Sequence, residues 1–381
     1  MKTKILKTTI YIFGLVCLVA FLAIRSLPLM NRLMVENIIP GHWEFVNYGE
    51  MYYFNYISDF KVDSLPKATQ KFRLSDKQAE LDRAEIVIFG DSFFDFARHK
   101  NLPEQIRDRL NMPVYFERND YPLASLAEKG YENEEPKILI YETVERNIAY
   151  RFREKHKIPN NPEKTNNKDD TSFKNKIIEL LFPEQTEELY TKLLQRSYIT
   201  TRIYEWIATL KFNLFGYVSR LTPKYTLKNE EDPWLFYHRE VSDEHWGFYY
   251  QHSEEEINTY CNNIADLAEK LEKEFNLKMV FVVVPNKYTI YHTMLNDHTY
   301  NDLLPDIYKG LEKRNIPVVK LYRPYLRNKE DKLYHGTDTH WNQQGIDIAV
   351  NRTIKVIKNG LKPYLYAETK KSKQKSNVDN Q

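Results

Sequence analysis

Residues 85–94 read Glu85-Ile-Val-Ile-Phe-Gly-Asp-Ser-Phe-Phe94. The first half is a short, β-branched apolar run that stops at Gly90, the pattern of a strand buried on both faces. Glycine permits a tight turn, and Ser92 then stands at the carboxyl end of that strand, the edge where open α/β sheets bind ligands. Similar runs recur at Lys137-Ile-Leu-Ile-Tyr141, Lys278–Val284 and Pro317–Leu321. Helical patterns lie between them. Ser253-Glu-Glu-Glu256 is a capping box, in which the serine oxygen takes orphan N–H groups and the glutamate reaches back. Ile257, Cys261, Ile264, Leu267, Leu271 and Phe275 follow at helical spacing. Asp302–Arg314 and Gln344–Lys358 predict two more helices, the last with Ile346, Val350, Ile354 and Ile357 as its stripe. Strands alternating with helices predict an α/β domain with a mainly parallel sheet covered on both faces. A helix is also expected to open just after Ser92, aiming its N–H groups at a developing oxyanion.

Working outward, residues 82–156 and 241–366 form the two parts of this domain. Residues 28–81 are aromatic and irregular and read as a wrapping segment. Residues 157–240 read as an insertion. Its polar loop, Lys157–Asp170, carries Pro159 and Pro162, and a helical stretch covers about Phe173–Leu221. Residues 367–381 are rich in Lys, Ser, Gln and Asn and read as a disordered tail.

Residues 1–27 read as a signal anchor. Lys2, Lys4 and Lys7 precede an uncharged run from Thr8 to Ile24, and about 17 residues is near the lower limit for a spanning helix. The basic flank predicts a cytoplasmic N-terminus with the body outside. A cleaved signal peptide fits less well, because small residues suited to a cleavage site are hard to find around Ala20 to Pro28. Cys17 lies too deep in the run for a lipoprotein site.

With 381 residues, 42% of them apolar, the chain can bury a sizeable core. A net charge of +2, from 55 basic and 53 acidic residues, argues against a nucleic-acid binder. The two cysteines, Cys17 and Cys261, cannot build a cysteine metal site. The ten histidines lack ligand spacing, and no glycine-rich phosphate loop is present, so no metal and no cofactor is expected.

The chemistry is read from two motifs. Gly90-Asp91-Ser92 alone is more often an ordinary turn than a catalytic motif. Gly336-Thr-Asp-Thr-His-Trp341 lies before the last helix. A serine needs a base, and an imidazole needs an acceptor to hold its tautomer. In an extended loop Asp338 and His340 can lie on one side, so Asp338 can orient His340 as the base for Ser92. Taken alone, the motif reads equally as a helix cap at Asp338 or Thr339 with His340 on the surface.

Together the motifs resemble the SGNH/GDSL hydrolase superfamily. They resemble in particular its branch with the alginate O-acetylation proteins AlgJ and AlgX and the DHHW family. Asp338-Thr-His-Trp341 has that branch's Asp-x-His-Trp form. Tyr141-Glu-Thr-Val-Glu-Arg146 is similar to its Trp-Glu-x-x-x-Arg segment, and Val284-Pro-Asn-Lys287 with Tyr291 to its Val-Pro-x-Lys…Tyr segment. The resemblance implies an SGNH-like three-layer α/β/α fold, with Ser92 as nucleophile, His340 as general base and acid, and Asp338 orienting it. It further implies acetyl transfer to an extracytoplasmic, periplasmic-side polysaccharide, with a membrane-bound O-acyltransferase delivering the acyl group. A carbohydrate O-acetylesterase and a non-catalytic glycan-binding scaffold are the alternatives. One departure is the single residue between Asp338 and His340, where wider superfamily members have two. Another is the absence of glycine in Phe116–Tyr121, which leaves Asn119 and Asn286 as candidates for the second oxyanion donor. Arg146 could hold an anionic sugar or brace the Ser92 loop, or simply pair with Glu142 on a helix face. Lys287 is a further binding candidate, although an exposed lysine is usually just solvated. Tyr291 and Trp341 could stack on a sugar, although aromatics near a loop more often serve as packing.

Overall fold

A computed structural model describes residues 9, 11–16, 48–61, 65–66, 79–95, 98–156, 198–228, 231–296 and 299–361. Most of the expected anchor, most of the wrapping segment, the polar loop and the tail lie outside these residues. Among the described residues no helix is long and apolar enough to cross a membrane.

The chain forms two compact units. The larger comprises Phe45–Asn55, Asp59–Asn161 and Val218–Gln381. Its strands are β1 (Ile86–Gly90), β2 (Val114–Arg118), β3 (Lys137–Val144), β4 (Lys224–Lys228), β5 (Glu231–Phe236), β6 (Leu277–Val284) and β7 (Val318–Val319). Five of them make one sheet, in the order β2-β1-β3-β6-β7, with every pairing parallel. Parallel strands need crossovers, and helices supply them on both faces. Glu254–Phe275 packs against Leu303–Glu312, Ile148–Phe152 and β6. Gln343–Gly360 packs against Leu102–Leu110, Tyr322–Arg327 and β7. This is the mainly parallel α/β architecture expected from the sequence.

The strand order places the site. The chain leaves β1 to form β2 on one side and returns to form β3 on the other, so the order reverses between β1 and β3. That is the switch point at which open α/β sheets bind ligands. Register sets Phe89 beside Tyr141, which puts Gly90, at the end of β1, next to Glu142. The glycine is required there: a Cβ on Gly90 would meet Glu142 Oε2 at 2.8 Å and the Glu142 Cβ at 3.2 Å.

The capping box at Ser253 forms as read, with Ser253 Oγ accepting from Glu256 N and Glu256 Oε2 accepting from Ser253 N. The predicted stripe of that helix is buried throughout, each full side-chain burial being worth roughly 1.5–3 kcal/mol. Three features differ from expectation. Residues 92–95 form a turn, and the next described helix begins at Leu102, so no helix N-terminus opens at Ser92 among the described residues. Strand β2 went unread because it is an edge strand with only Val114 fully buried and no continuous apolar run. The antiparallel hairpin β4–β5 occupies the end of the stretch taken for an insertion. Its backbone joins the loop before Gln343–Gly360 through Leu235 N donating to Gly336 O at 2.9 Å.

The smaller unit comprises Met1–Glu44, Tyr56–Ser58 and Pro162–Tyr217. Its described part includes the helix Tyr198–Phe215, within the stretch predicted to be helical.

Candidate active site

Ser92 comes from the turn after β1, and Asp338 and His340 from the loop before Gln343–Gly360. They meet although 248 residues separate the serine from the histidine. His340 Nε2 lies 2.9 Å from Ser92 Oγ, and His340 Nδ1 lies 2.6 Å from Asp338 Oδ1. Asp338 Oδ1 also accepts the His340 backbone N–H at 3.0 Å, which fixes the single-residue spacing into a tight hook. One intervening residue therefore suffices, because the carboxylate grips both the ring and the backbone of the same histidine.

Electrostatics favour a strong base. Burial opposes charging His340, but the Asp338 carboxylate and its hydrogen bond outweigh it and hold the pKa above the ordinary histidine value. Burial likewise opposes charging Asp338, but the His340 imidazolium reverses that and pulls its pKa well below the usual carboxylate range. Both groups are nearly inaccessible to water.

The two motifs are clamped together by their aromatic neighbours. Trp341 Nε1 donates to the Phe93 carbonyl at 3.0 Å, and its ring stacks on Phe94 and meets Phe93 edge-on. The Phe93 ring lies 4.8 Å from that of His340. Trp341 is fully buried, so it packs rather than offering a face to a sugar: it locks the Ser92 turn to the histidine loop.

The remaining candidates also acquire definite places. Lys287 is fully buried, not a solvated lysine. Its Nζ donates to the carbonyls of Leu235 (2.7 Å), Gly336 (2.6 Å) and Asp338 (3.2 Å), so it ties hairpin and loop together. Burial lowers its pKa to about 7. Tyr291 packs as well. It is 3% exposed, its hydroxyl accepts Leu333 N–H at 2.8 Å and donates to Lys329 O at 3.2 Å, and its ring packs on Trp234. Arg146 does not pair with Glu142. Its Nη1 bonds Glu240 Oε1 at 2.9 Å, its guanidinium lies 5.6 Å from the Phe93 ring, and its charge acts on His340. It braces the wall beside Ser92 and stays partly open. Asn119 holds its own turn, donating to Glu117 Oε1 and accepting from Tyr121 N. The Asn286 side-chain oxygen accepts Arg146 N–H at 3.2 Å.

Glu142 lies directly under the turn. Its Oε2 accepts Asp91 N–H at 2.8 Å, while Arg151 bonds Asp91 Oδ2 at 3.4 Å and the Glu142 carbonyl at 3.0 Å. Burial and the Asp91 carboxylate push the Glu142 pKa well above the ordinary value. With the Asp91 amide held inward, the orientation of the following Ser92 peptide is restricted.

Sequence reasoning missed Glu50. Its backbone N–H donates to Asp338 Oδ2 at 3.3 Å, and its side chain accepts from Thr339 Oγ1. The one available signal was Gly49, whose φ of 91° and close approach to the Thr337 carbonyl exclude a side chain. Glu50, Asp338 and His340 bring ligand-type atoms within 4.8 Å of one another. Both His340 ring nitrogens already have hydrogen-bond partners, Asp338 Oδ1 at 2.6 Å and Ser92 Oγ at 2.9 Å.

Serine, base and orienting carboxylate at a switch point on an α/β sheet are the constellation of acyl-transfer hydrolases. Residues 229–380 match the family model ALGX, described as the SGNH hydrolase-like domain, acetyltransferase AlgX. Over those residues the chain is similar to an SGNH hydrolase-like domain of the AlgX type, the resemblance its motifs carry. The matched segment holds Lys287, Tyr291, Asp338, His340 and Trp341, whereas Ser92 lies before it. No curated protein and no solved structure significantly matches the chain.

Proposed function

We propose that this chain transfers an acyl group, acetyl in particular, to a hydroxyl of an extracytoplasmic polysaccharide through an acyl-Ser92 intermediate. The Ser92–His340–Asp338 hydrogen-bond chain carries the reading, and the AlgX-type domain supports the acetyl and polysaccharide assignments. Ser92 Oγ attacks the donor's acyl carbonyl while His340 Nε2 takes the hydroxyl proton. The Ser92 backbone N–H stabilises the oxyanion. Collapse expels the donor's leaving group, which takes the proton from Nε2. A sugar hydroxyl then gives its proton to Nε2 and attacks the acyl-serine, which restores Ser92. Asp338 stabilises the imidazolium in both halves. Arg146, partly open beside Phe93, is the cation available to an anionic sugar.

The N-terminal 27 residues anchor the chain in the cytoplasmic membrane, with the body on the periplasmic side. Acyl-CoA is absent there, so a multi-pass membrane-bound O-acyltransferase delivers the acyl group. The test incubates the purified full chain with an acetyl donor and glycan oligosaccharides. Acetylated oligosaccharide is expected from wild type and none from Ser92→Ala. Free acetate without acetylated sugar would replace the transferase by an esterase. Activity surviving in Ser92→Ala would remove the mechanism, and glycan binding without any acyl-enzyme would leave a scaffold.

A further inference from the structure

The helix Tyr198–Phe215 is amphipathic in the wrong sense for a water-facing surface. Ile203, Trp206, Ile207, Leu210, Leu214 and Phe215 are all exposed, Trp206 at 68% and Phe215 at 78%. At 3.6 residues per turn they occupy about half of the helix circumference. Thr201, Arg202, Glu205 and Thr209 lie on the opposite side. Thr201 is fully buried, Thr209 accepts the Ser58 backbone N–H at 2.9 Å, and Glu205 pairs with Arg202. A helix bathed in water would present the reverse. It is not apolar enough to span a bilayer.

We infer that this face lies in the headgroup and acyl boundary of a lipid bilayer, as a second, interfacial contact beside the anchor. Three observations select lipid over other occupants. The compact unit that contains the helix also contains residues 9 and 11–16, which belong to the uncharged run Thr8–Ile24 that follows Lys2, Lys4 and Lys7 in the sequence. The face carries Trp206 with Tyr204 and Tyr217 nearby, the ring types enriched at membrane interfaces. Lys211, exposed within the face and 5.9 Å from the Tyr217 ring, can extend its amine to anionic headgroups. The consequence is that the unit is held flat against the membrane rather than swinging on its anchor. The inference rests on the anchor reading of residues 1–27 and is independent of the Ser92 chemistry.

The test uses the full chain in phosphatidylcholine–phosphatidylglycerol vesicles whose acyl chains are brominated near the headgroup end. The signal of Trp206, one of five tryptophans, is the emission difference between wild type and Trp206→Phe. Burial by ~5–10 Å into the boundary predicts that the bromines quench this signal roughly twofold. In Leu210→Asp/Leu214→Asp, whose circular dichroism and vesicle retention should stay unchanged, the quenching should disappear. Trp206 emission that bromolipid leaves untouched, while the anchor retains the chain on vesicles, overturns the inference. That is also the result if another protein or another part of the chain covers the face. Quenching that persists in the double variant overturns it as well. Ser92 labelling by a fluorophosphonate reports separately on the chemistry and should be equal in all three proteins.

Discussion

Asp338→Asn removes a charge and almost no volume, which makes it a sharp test of the proposed relay. Asp338 Oδ1 accepts from His340 Nδ1 and from His340 N, while among the described residues Oδ2 accepts only the long bond from Glu50 N. Asparagine therefore keeps its oxygen toward the histidine and places its NH2 toward Glu50, and the hook survives with one weak bond lost. The negative charge does not survive. At about 4 Å between charge centres and an effective dielectric near 20, the attraction to the imidazolium is ~4 kcal/mol. Lost from the transition state, that is on the order of 10³-fold in kcat. The pH profile must move as well. His340 acts as a base when neutral, so the rate rises as pH passes through its pKa, which Asp338 holds above the ordinary value. Without the carboxylate, burial prevails and the acidic limb shifts to lower pH. The assay is hydrolysis of a chromogenic acetyl ester across pH, with circular dichroism to confirm folding. A loss under ~10-fold, or a limb that does not move, would refute Asp338 as the orienting group.

Three further outcomes are expected. A fluorophosphonate should label wild-type Ser92 with a stoichiometric mass adduct and leave Ser92→Ala unlabelled; equal labelling of both would place the nucleophile elsewhere. Lys287→Met strips three carbonyls of their donor, with partial relief from removing a buried amine, so urea unfolding should show a loss of ~2–3 kcal/mol at unchanged m. An unshifted midpoint would mean that the amine holds nothing. Gly90→Ala forces a methyl to within 2.8 Å of Glu142 Oε2 and should cost about 1–3 kcal/mol and lower kcat; adding Glu142→Ala should recover part of the stability, and strict additivity in the cycle would contradict the contact.

Much of the domain was legible because its signals are local. Ile86–Phe89 and Met279–Val284 are continuous, β-branched-rich apolar runs of strand length, and Ser253–Glu256 states a helix start in four residues. Ser92, Asp338 and His340 could be named because an acyl-transfer relay needs those residue types, and their motifs flank one α/β domain. Strand β2 and the hairpin were not legible, since an edge strand and an antiparallel pair are stabilised by what packs beside them rather than by their own apolar pattern. The helix expected at Ser92 was a local guess; in the structure, Glu142 and Arg151 organise that turn from across β3.

What tertiary structure alone decided is which side chains face the reactants. Lys287, Tyr291 and Trp341 carry polar groups and stand near the motifs, which in one dimension suits binding. In three dimensions their polar atoms are taken up by Leu235, Gly336, Lys329 and Phe93 carbonyls, and the side chains hold the site together from behind. Glu50 joined the Asp338 loop only because Gly49 lets a distant segment approach the Thr337 carbonyl. Sequence names the groups that can react, because reactivity belongs to residue type. Orientation and burial depend on contacts between residues far apart in the chain, and only the folded sheet brings those together.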